Sequence, residues 1–205
     1  MALDRWMELV SSRVGLIRQL APQTRGPEEP LPPHLYTATL SHFDFRSTNR
    51  SERVAAGKGA TEEDAKAAAI GEAIERYCAS HLDPERISVA RCDELTSAHI
   101  SPAQCVLYSD EQYRRPGWPY HPWDRSNSVS WVEGVELPGG TPVLVPAGLT
   151  YLVHSAPRAE DNFTVATSNG LAAGATRANA VLSALCEVME RDALMITWMN
   201  RYRRR

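Results

Sequence analysis

The sequence predicts an α+β fold made of two related units, each setting a helix on strands, with a pseudo-twofold repeat between them. Three observations predict it. Residues 61–80 carry apolar groups at helical spacing, with Ala65, Ala69, Ile70, Ala73, Ile74 and Tyr77 on one stripe. Residues 176–200 repeat the pattern with Ala180, Val181, Ala184, Leu185, Val188 and Met189. Between them, residues 129–135, the turn Leu137-Pro138-Gly139-Gly140 and residues 141–145 read as strand, turn and strand.

The remaining elements follow in order. Residues 2–20 place Leu3, Trp6, Met7, Val10, Val14, Ile17 and Leu20 at helical intervals, which predicts one amphipathic helix stopping before Pro22. Residues 26–33, with four prolines, form a stiff extended connector. Leu35 to Leu40 is rich in strand formers. Thr61, with Asp64 three positions on, opens the first long helix in a pattern close to a capping box. Ile87 to Cys92 predicts a short strand, and 108–131, with Trp118, Tyr120, His121, Trp123 and Trp131, a long loop. Pro142 suits a sheet edge or a strand start. The expected organisation is 1–40 as N-terminal helix, Pro-rich linker and first strand, with 41–205 as the main domain.

Composition excludes several functions. Of 205 residues, 43% are apolar and 23% charged, enough for a packed core. Lys plus Arg is 22 against 25 for Asp plus Glu, a net charge of −3, which argues against a nucleic-acid partner. The four Arg among residues 201–205 are a short terminal cluster, read as solvated. No apolar run approaches the ~20 residues that cross a bilayer, and the N-terminus lacks a signal-peptide pattern. No membrane partner and a cytoplasmic location are therefore expected. Cys78, Cys92, Cys105 and Cys186 form no CxxC pair and read as reduced thiols. His34, His42, His81, His99, His121 and His154 form no spaced cluster and read as loop or surface histidines.

The two long helices are copies. Residues 59–76 align with 174–191, and eight of the 18 pairs are identical: Gly59/Gly174, Ala60/Ala175, Thr61/Thr176, Ala65/Ala180, Ala69/Ala184, Glu72/Glu187, Glu75/Glu190 and Arg76/Arg191. A shared start together with a shared Glu-x-x-Glu-Arg points to an internal duplication. Opposite the apolar stripe, the first copy lines up Ala68, Glu72 and Glu75, and the second Ser183, Glu187 and Glu190. One such face alone reads as a solvated helix surface, with Glu-to-Arg pairs worth roughly 0.2–0.5 kcal/mol. If the copies face each other, four carboxylates converge and repel unless a cation binds them. Hard oxygen ligands in that number suit Mg²⁺, which in turn suits a polyphosphate.

These residues resemble the YcaO family. The stretch from Asn49 through Gly57-Lys58-Gly59-Ala60-Thr61 to Glu72-x-x-Glu75-Arg76 looks like its first ATP-site segment. Thr167-Ser168-Asn169-Gly170 running into Ser183-x-x-x-Glu187-x-x-Glu190-Arg191 looks like the second, and Trp131-Val132-Glu133-Gly134 and Val145-Pro146-Ala147 resemble the stretch between them. Val10 to Ile17 resembles the azoline-forming, SagD-like branch.

The resemblance implies ATP-dependent activation of a peptide backbone amide. A Cys, Ser or Thr side chain attacks the preceding carbonyl, the oxygen is phosphorylated, and phosphate leaves a thiazoline or oxazoline. It implies ATP and Mg²⁺ as cofactors, with Glu72, Glu75, Glu187 and Glu190 as metal ligands. Lys58, Arg76, Asn169, Ser183 and Arg191 join these four as nucleotide-site residues. The implied partners are a ribosomally made precursor peptide, a protein that binds its leader, and a second copy of the chain in a homodimer. Ala68 stands where the family has Ser, so one expected hydroxyl is missing. The family's domain is longer and has a later phosphate-contacting arginine. The chain is therefore expected to hold the N-terminal part of that domain. Two alternatives stay open: thioamide or amidine formation, and a non-catalytic ATP-binding or docking fragment.

Overall fold

Helix and strand are mixed as expected, in two antiparallel three-stranded sheets that fall in different parts of the chain. The computed structural model describes residues 2–30, 33–41, 54–105, 107–152, 158 and 161–201. Two compact units result, Met1–Cys78 with Asn169–Arg205, and Ala79–Ser168. Asn49, His42, His154 and Arg203 to Arg205 lie outside the described residues.

In the first unit, α1 spans only Ala2–Met7, and the chain then turns into β1, Ile17–Pro22. This corrects the single helix expected over 2–20. The Ser11 hydroxyl accepts from Arg13 and Val14 N–H at 3.3 and 3.4 Å. The Ser11 N–H donates to Ile17 O at 2.9 Å, and Ile17 N–H to Leu9 O at 3.0 Å. Such local bonds compete with the helical ladder. Gly15 permits the turn, since a Cβ there would lie 2.3 Å from Ser11 N.

Strands β2, His34–Leu40, and β3, Val54–Gly59, complete a sheet in the order β1-β2-β3. Because β2 pairs with β3, from His34 opposite Gly59 to Thr39 opposite Val54, this sheet spans the division expected at residue 40. Alternate residues of β2 (Tyr36, Ala38 and Leu40) are buried, as a one-faced strand requires. They pack with Ala55 and with Ala65, Ala69, Ile70 and Ala73 of α2, Glu62–Ser80. Leu3 and Trp6 of α1 close the edge of this core. The apolar stripe read from the sequence is thus the buried stripe. Full burial of Ile70 alone is worth about 1.5–3 kcal/mol.

The approach of β3 to α2 is unusually close. A Cβ on Gly57 would sit 2.1 Å from Ala69 N and 2.3 Å from Ala65 O. Glycine on the strand and alanine on the helix let the two backbones touch. The second motif helix, α5, spans Arg177–Met199 and ends this unit. Its equivalent stripe is only partly covered among the described residues: Ala180, Val181 and Ala184 are half-buried, but Leu185 is 51% exposed where the matching Ile70 is 0%.

The second unit carries β4, Ser88–Ala90, β5, Val129–Val135, and β6, Pro142–Pro146, in the order β4-β5-β6. Pro142 stands at the start of β6, one of the two positions expected for it, and the outer side of that strand is bonded at Leu144 to Ala98 O and Ile100 N–H. Within the region 108–131 the structure adds α3, Asp110–Tyr113, capped by the Ser109 side chain, while the rest up to Val129 is irregular. A last short helix, α4, spans Ala147–Thr150. Several aromatic residues of the region pack within this unit. Trp131 is fully buried and its Nε1 donates to Ala90 O at 2.9 Å. Tyr108 meets the rings of Tyr113, Trp118 and Tyr120 at 5.6, 4.9 and 5.2 Å. His99 packs edge-on to Trp131 and bonds Ser97 O through Nδ1 at 3.0 Å, a structural histidine. All four cysteines are free, and no described helix is long and apolar enough to cross a membrane.

Candidate functional site

The duplicated motif is a geometric repeat as well as a sequence one. Thr61 Oγ1 accepts from Asp64 N–H at 3.1 Å, and Thr176 Oγ1 from Asn179 N–H at 3.2 Å, so each helix starts on the same threonine cap. The glycine two residues earlier has the same function in both. A Cβ on Gly59 would lie 2.5 Å from Ala65 N, and one on Gly174 2.5 Å from Ala180 N. Gly57 and Gly59 thus sit where β3 lies close on α2, which accounts for both glycines.

Each helix then holds its first glutamate with the arginine one turn on, Glu72–Arg76 at 2.8 Å and Glu187–Arg191 at 3.3 Å. Glu72 is fully engaged. Its Oε1 accepts from Arg76 Nε and Nη2 at 3.1 and 2.8 Å, and its Oε2 from the Ala56 N–H of β3 at 3.1 Å. Arg76 and Arg191 are thus each paired with the first glutamate of their own helix. The Ala56 donor was not foreseen, because a main-chain N–H carries no side-chain signal.

Glu75 is different. It is half-buried and makes no hydrogen bond among the described residues. Burial, then the charge of Glu187, then that of Glu72, push its pKa up to about 7, against a smaller opposing pull from Arg76. Glu187 of the second motif helix is thus near enough to Glu75 for its charge to act there, and the Glu187 side chain is only 24% exposed.

The other expected site residues are spread around this pair. Asn169 stands exposed at a turn whose Gly170 has φ +81°, and a Cβ on Gly170 would come 2.9 Å from Val188 Cγ2, so the turn rests on α5 beside Glu187. Lys58 is exposed on β3, two residues from Ala56 and hence on the same side of the strand. Ser183 and Glu190 are exposed on α5.

A hard divalent cation fits this arrangement in donor type and in charge. Glu75 is an unbonded carboxyl whose ionisation is opposed by two neighbouring carboxylates, a deficit that a cation relieves. No group of three or more Asp, Glu, His or Cys gathered for a metal exists among the described residues. Glu72, Glu75, Glu187 and Glu190 therefore do not form one closed cage. Mg²⁺ does not need one, since it usually binds through one or two carboxylates, with waters and phosphate oxygens as the rest.

Comparison with known proteins agrees with this reading. The YcaO family profile, described as YcaO cyclodehydratase, ATP- and Mg²⁺-binding, matches residues 56–205. The chain belongs to the YcaO family. It is 36% identical over 138 residues to an uncharacterized protein of Methanothermobacter thermautotrophicus, and 30% identical over 164 residues to an uncharacterized protein in the tfuA 3′ region of Rhizobium leguminosarum bv. trifolii. A heterocyclase solved in complex with substrate and cofactor matches 99% of the chain with a TM-score of 0.84 and 31% identity. YcaO from Methanopyrus kandleri, bound with AMPPCP and Mg²⁺, matches 98% with a TM-score of 0.63 and 25% identity. The heterocyclase TruD matches 68% with a TM-score of 0.58 and 33% identity. The chain spans about a third of the length of the two curated relatives, 32% and 35%, and 28%, 45% and 22% of the three solved chains.

Proposed function

We propose that this chain carries a Mg²⁺–ATP face of an enzyme that forms thiazoline or oxazoline rings from Cys, Ser or Thr in a ribosomally made peptide. The observation that carries this reading is Glu75, an unbonded half-buried carboxyl facing the charges of Glu187 and Glu72. Family membership and the resemblance to a Mg²⁺- and AMPPCP-bound YcaO support it.

ATP supplies the phosphoryl group that turns the amide oxygen into a leaving group, so one ring costs one ATP and releases ADP and phosphate. In this reading Glu75 and Glu187 hold Mg²⁺. Glu72, fixed by Arg76 and Ala56 N–H, sets the negative field around them, and Arg191 fixes Glu187. Glu190, Ser183, Asn169 and Lys58 line the nucleotide. A leader-binding protein, a homodimeric assembly and a cytoplasmic bacteriocin-type pathway belong to the same proposal. The heterocyclase solved with its substrate supports azoline chemistry over thioamide or amidine formation.

Calorimetric titration of the chain with ATP tests the site. Saturable binding that needs Mg²⁺, is abolished by EDTA and weakens at least tenfold in Glu75→Gln and Glu187→Gln is expected. Unchanged affinity in both variants overturns the assignment. In the complete enzyme, peptide mass should fall by one water per ADP formed; a product of any other mass rules out azoline formation.

A further inference from the structure

The second unit contains a cavity of about 190 Å³ lined by Tyr120, Ser130, Tyr151, Asn162, Thr164 and Val165 among others. Its size decides what it can take. Pockets for nucleotides and drug-sized ligands run to about 300–1,000 Å³, whereas a dry cavity of about 150 Å³ holds a benzene ring. One side chain fits here and a nucleotide does not.

The wall of the cavity changes character along the chain. Up to Phe163 it is tied down. Asn162 O accepts from His121 N–H at 2.9 Å, Phe163 N–H donates to Asp161 O at 3.1 Å, and Phe163 O accepts from the Tyr113 hydroxyl at 2.8 Å. Asp161, 4% exposed, is neutralised by Arg158 at 2.9 Å. Beyond Phe163 this stops. Among the described residues, no main-chain N–H or C=O of Thr164, Val165 or Ala166 is hydrogen-bonded within the protein. A segment tied down at Phe163 thus presents open main-chain donors and acceptors at the rim of a one-residue cavity. Peptide recognition by strand addition combines these two features, the main chain supplying affinity and a pocket selecting one side chain.

We propose that Thr164–Ala166 and the adjoining cavity form a docking site for an extended peptide, with one uncharged apolar or aromatic side chain seated in the cavity. The cavity lining offers hydroxyls, an amide and aromatic faces, and its one carboxylate is already paired, so a charged side chain finds no partner. The proposal deepens the peptide-modifying reading above and rests on it for the class of ligand.

The test titrates the ¹⁵N-labelled chain with four blocked tetrapeptides, acetyl-Ala-X-Ala-Ala-amide, where X is Phe, Leu, Lys or Glu. Saturable shifts of the 164–166 amides are expected, with Phe or Leu bound at least tenfold tighter than Lys and Glu. Ala166→Phe, which fills the cavity, and Val165→Trp, which covers its mouth from a half-exposed position, should each weaken the Phe peptide at least tenfold. Both should keep the wild-type affinity for Mg²⁺–ATP. The site is overturned if no peptide shifts these amides, if charged peptides bind equally, or if both variants bind as wild type does. Mg²⁺–ATP binding without peptide binding removes this site and leaves the nucleotide reading intact. Peptide binding without Mg²⁺–ATP binding does the reverse.

Discussion

Helices α2 and α5 share a threonine cap, a close glycine and an arginine-held glutamate, yet α2 buries most of its apolar stripe under a sheet and α5 leaves half of its own exposed. The difference lies in what surrounds them. Gly57 lets β3 lie directly on α2, and the matching position before α5 is Ala172. Ala73 of α2 becomes the bulkier Val188 in α5, while Ile74 and Met189 are of similar size. Past the motif, α5 continues with Leu194, Met195, Ile196 and Trp198, all exposed, so its last turns are apolar on several faces. The same capping and charge pattern therefore serves two packing environments, and the shared part is the part that places the carboxylates.

The largest expected effect separates the two stripes at one matched position. Ile70→Ala should cost about 2–5 kcal/mol, as a buried large-to-small change does. Leu185→Ala in this chain should cost under about 0.5 kcal/mol. Urea unfolding of both variants measures the gap, and equal costs would mean that α5 is covered after all. Next in size is Gly57→Ala, which drives a Cβ into the α2 backbone and should cost about 1–3 kcal/mol.

A third variant probes Glu75. Glu75 keeps its proton in the folded chain up to about pH 7, while an unfolded glutamate loses it near 4.5. Between those values the unfolded state holds fewer protons, so stability falls as pH rises through the window. Glu75→Gln, which cannot ionise, should match wild type at pH 4 and exceed it at pH 8 in Mg²⁺-free buffer. Parallel pH curves for the two proteins would break the link between Glu75 and the acidic groups around it, Glu72 and Glu187. The smallest effect is at the caps. Thr61→Ala and Thr176→Ala should each cost about 1 kcal/mol, the first in global stability and the second in hydrogen exchange of the exposed α5.

Much of this arrangement was legible in the residues. The limits of α2 and α5, their caps, the Glu–Arg pairs and the β5–turn–β6 hairpin all follow from spacing and chemistry within a few positions. The helix expected over 2–20 was misread for the same reason. Its apolar spacing was right for a helix, but Ser11 and Gly15 build a turn closed by Ile17, six residues from Ser11. The close contacts of Gly57 and Gly59, to Ala65 and Ala69, had no sequence signal because they lie on the next element. The cavity of the second unit had no sequence signal, since its walls come from residues as distant as Tyr120 and Ala166.

What the sequence by itself determined is the α+β composition, the duplication and the list of carboxylates, because periodicity, capping and i,i+4 pairing act over a turn or two of chain. Tertiary structure alone decided which apolar stripe is covered, that Glu72 is fully bonded while Glu75 is not, and that Glu75 holds its proton to about pH 7. Desolvation and electrostatic fields sum over everything nearby in space, and Glu75 and Glu187 become neighbours only when the chain has folded.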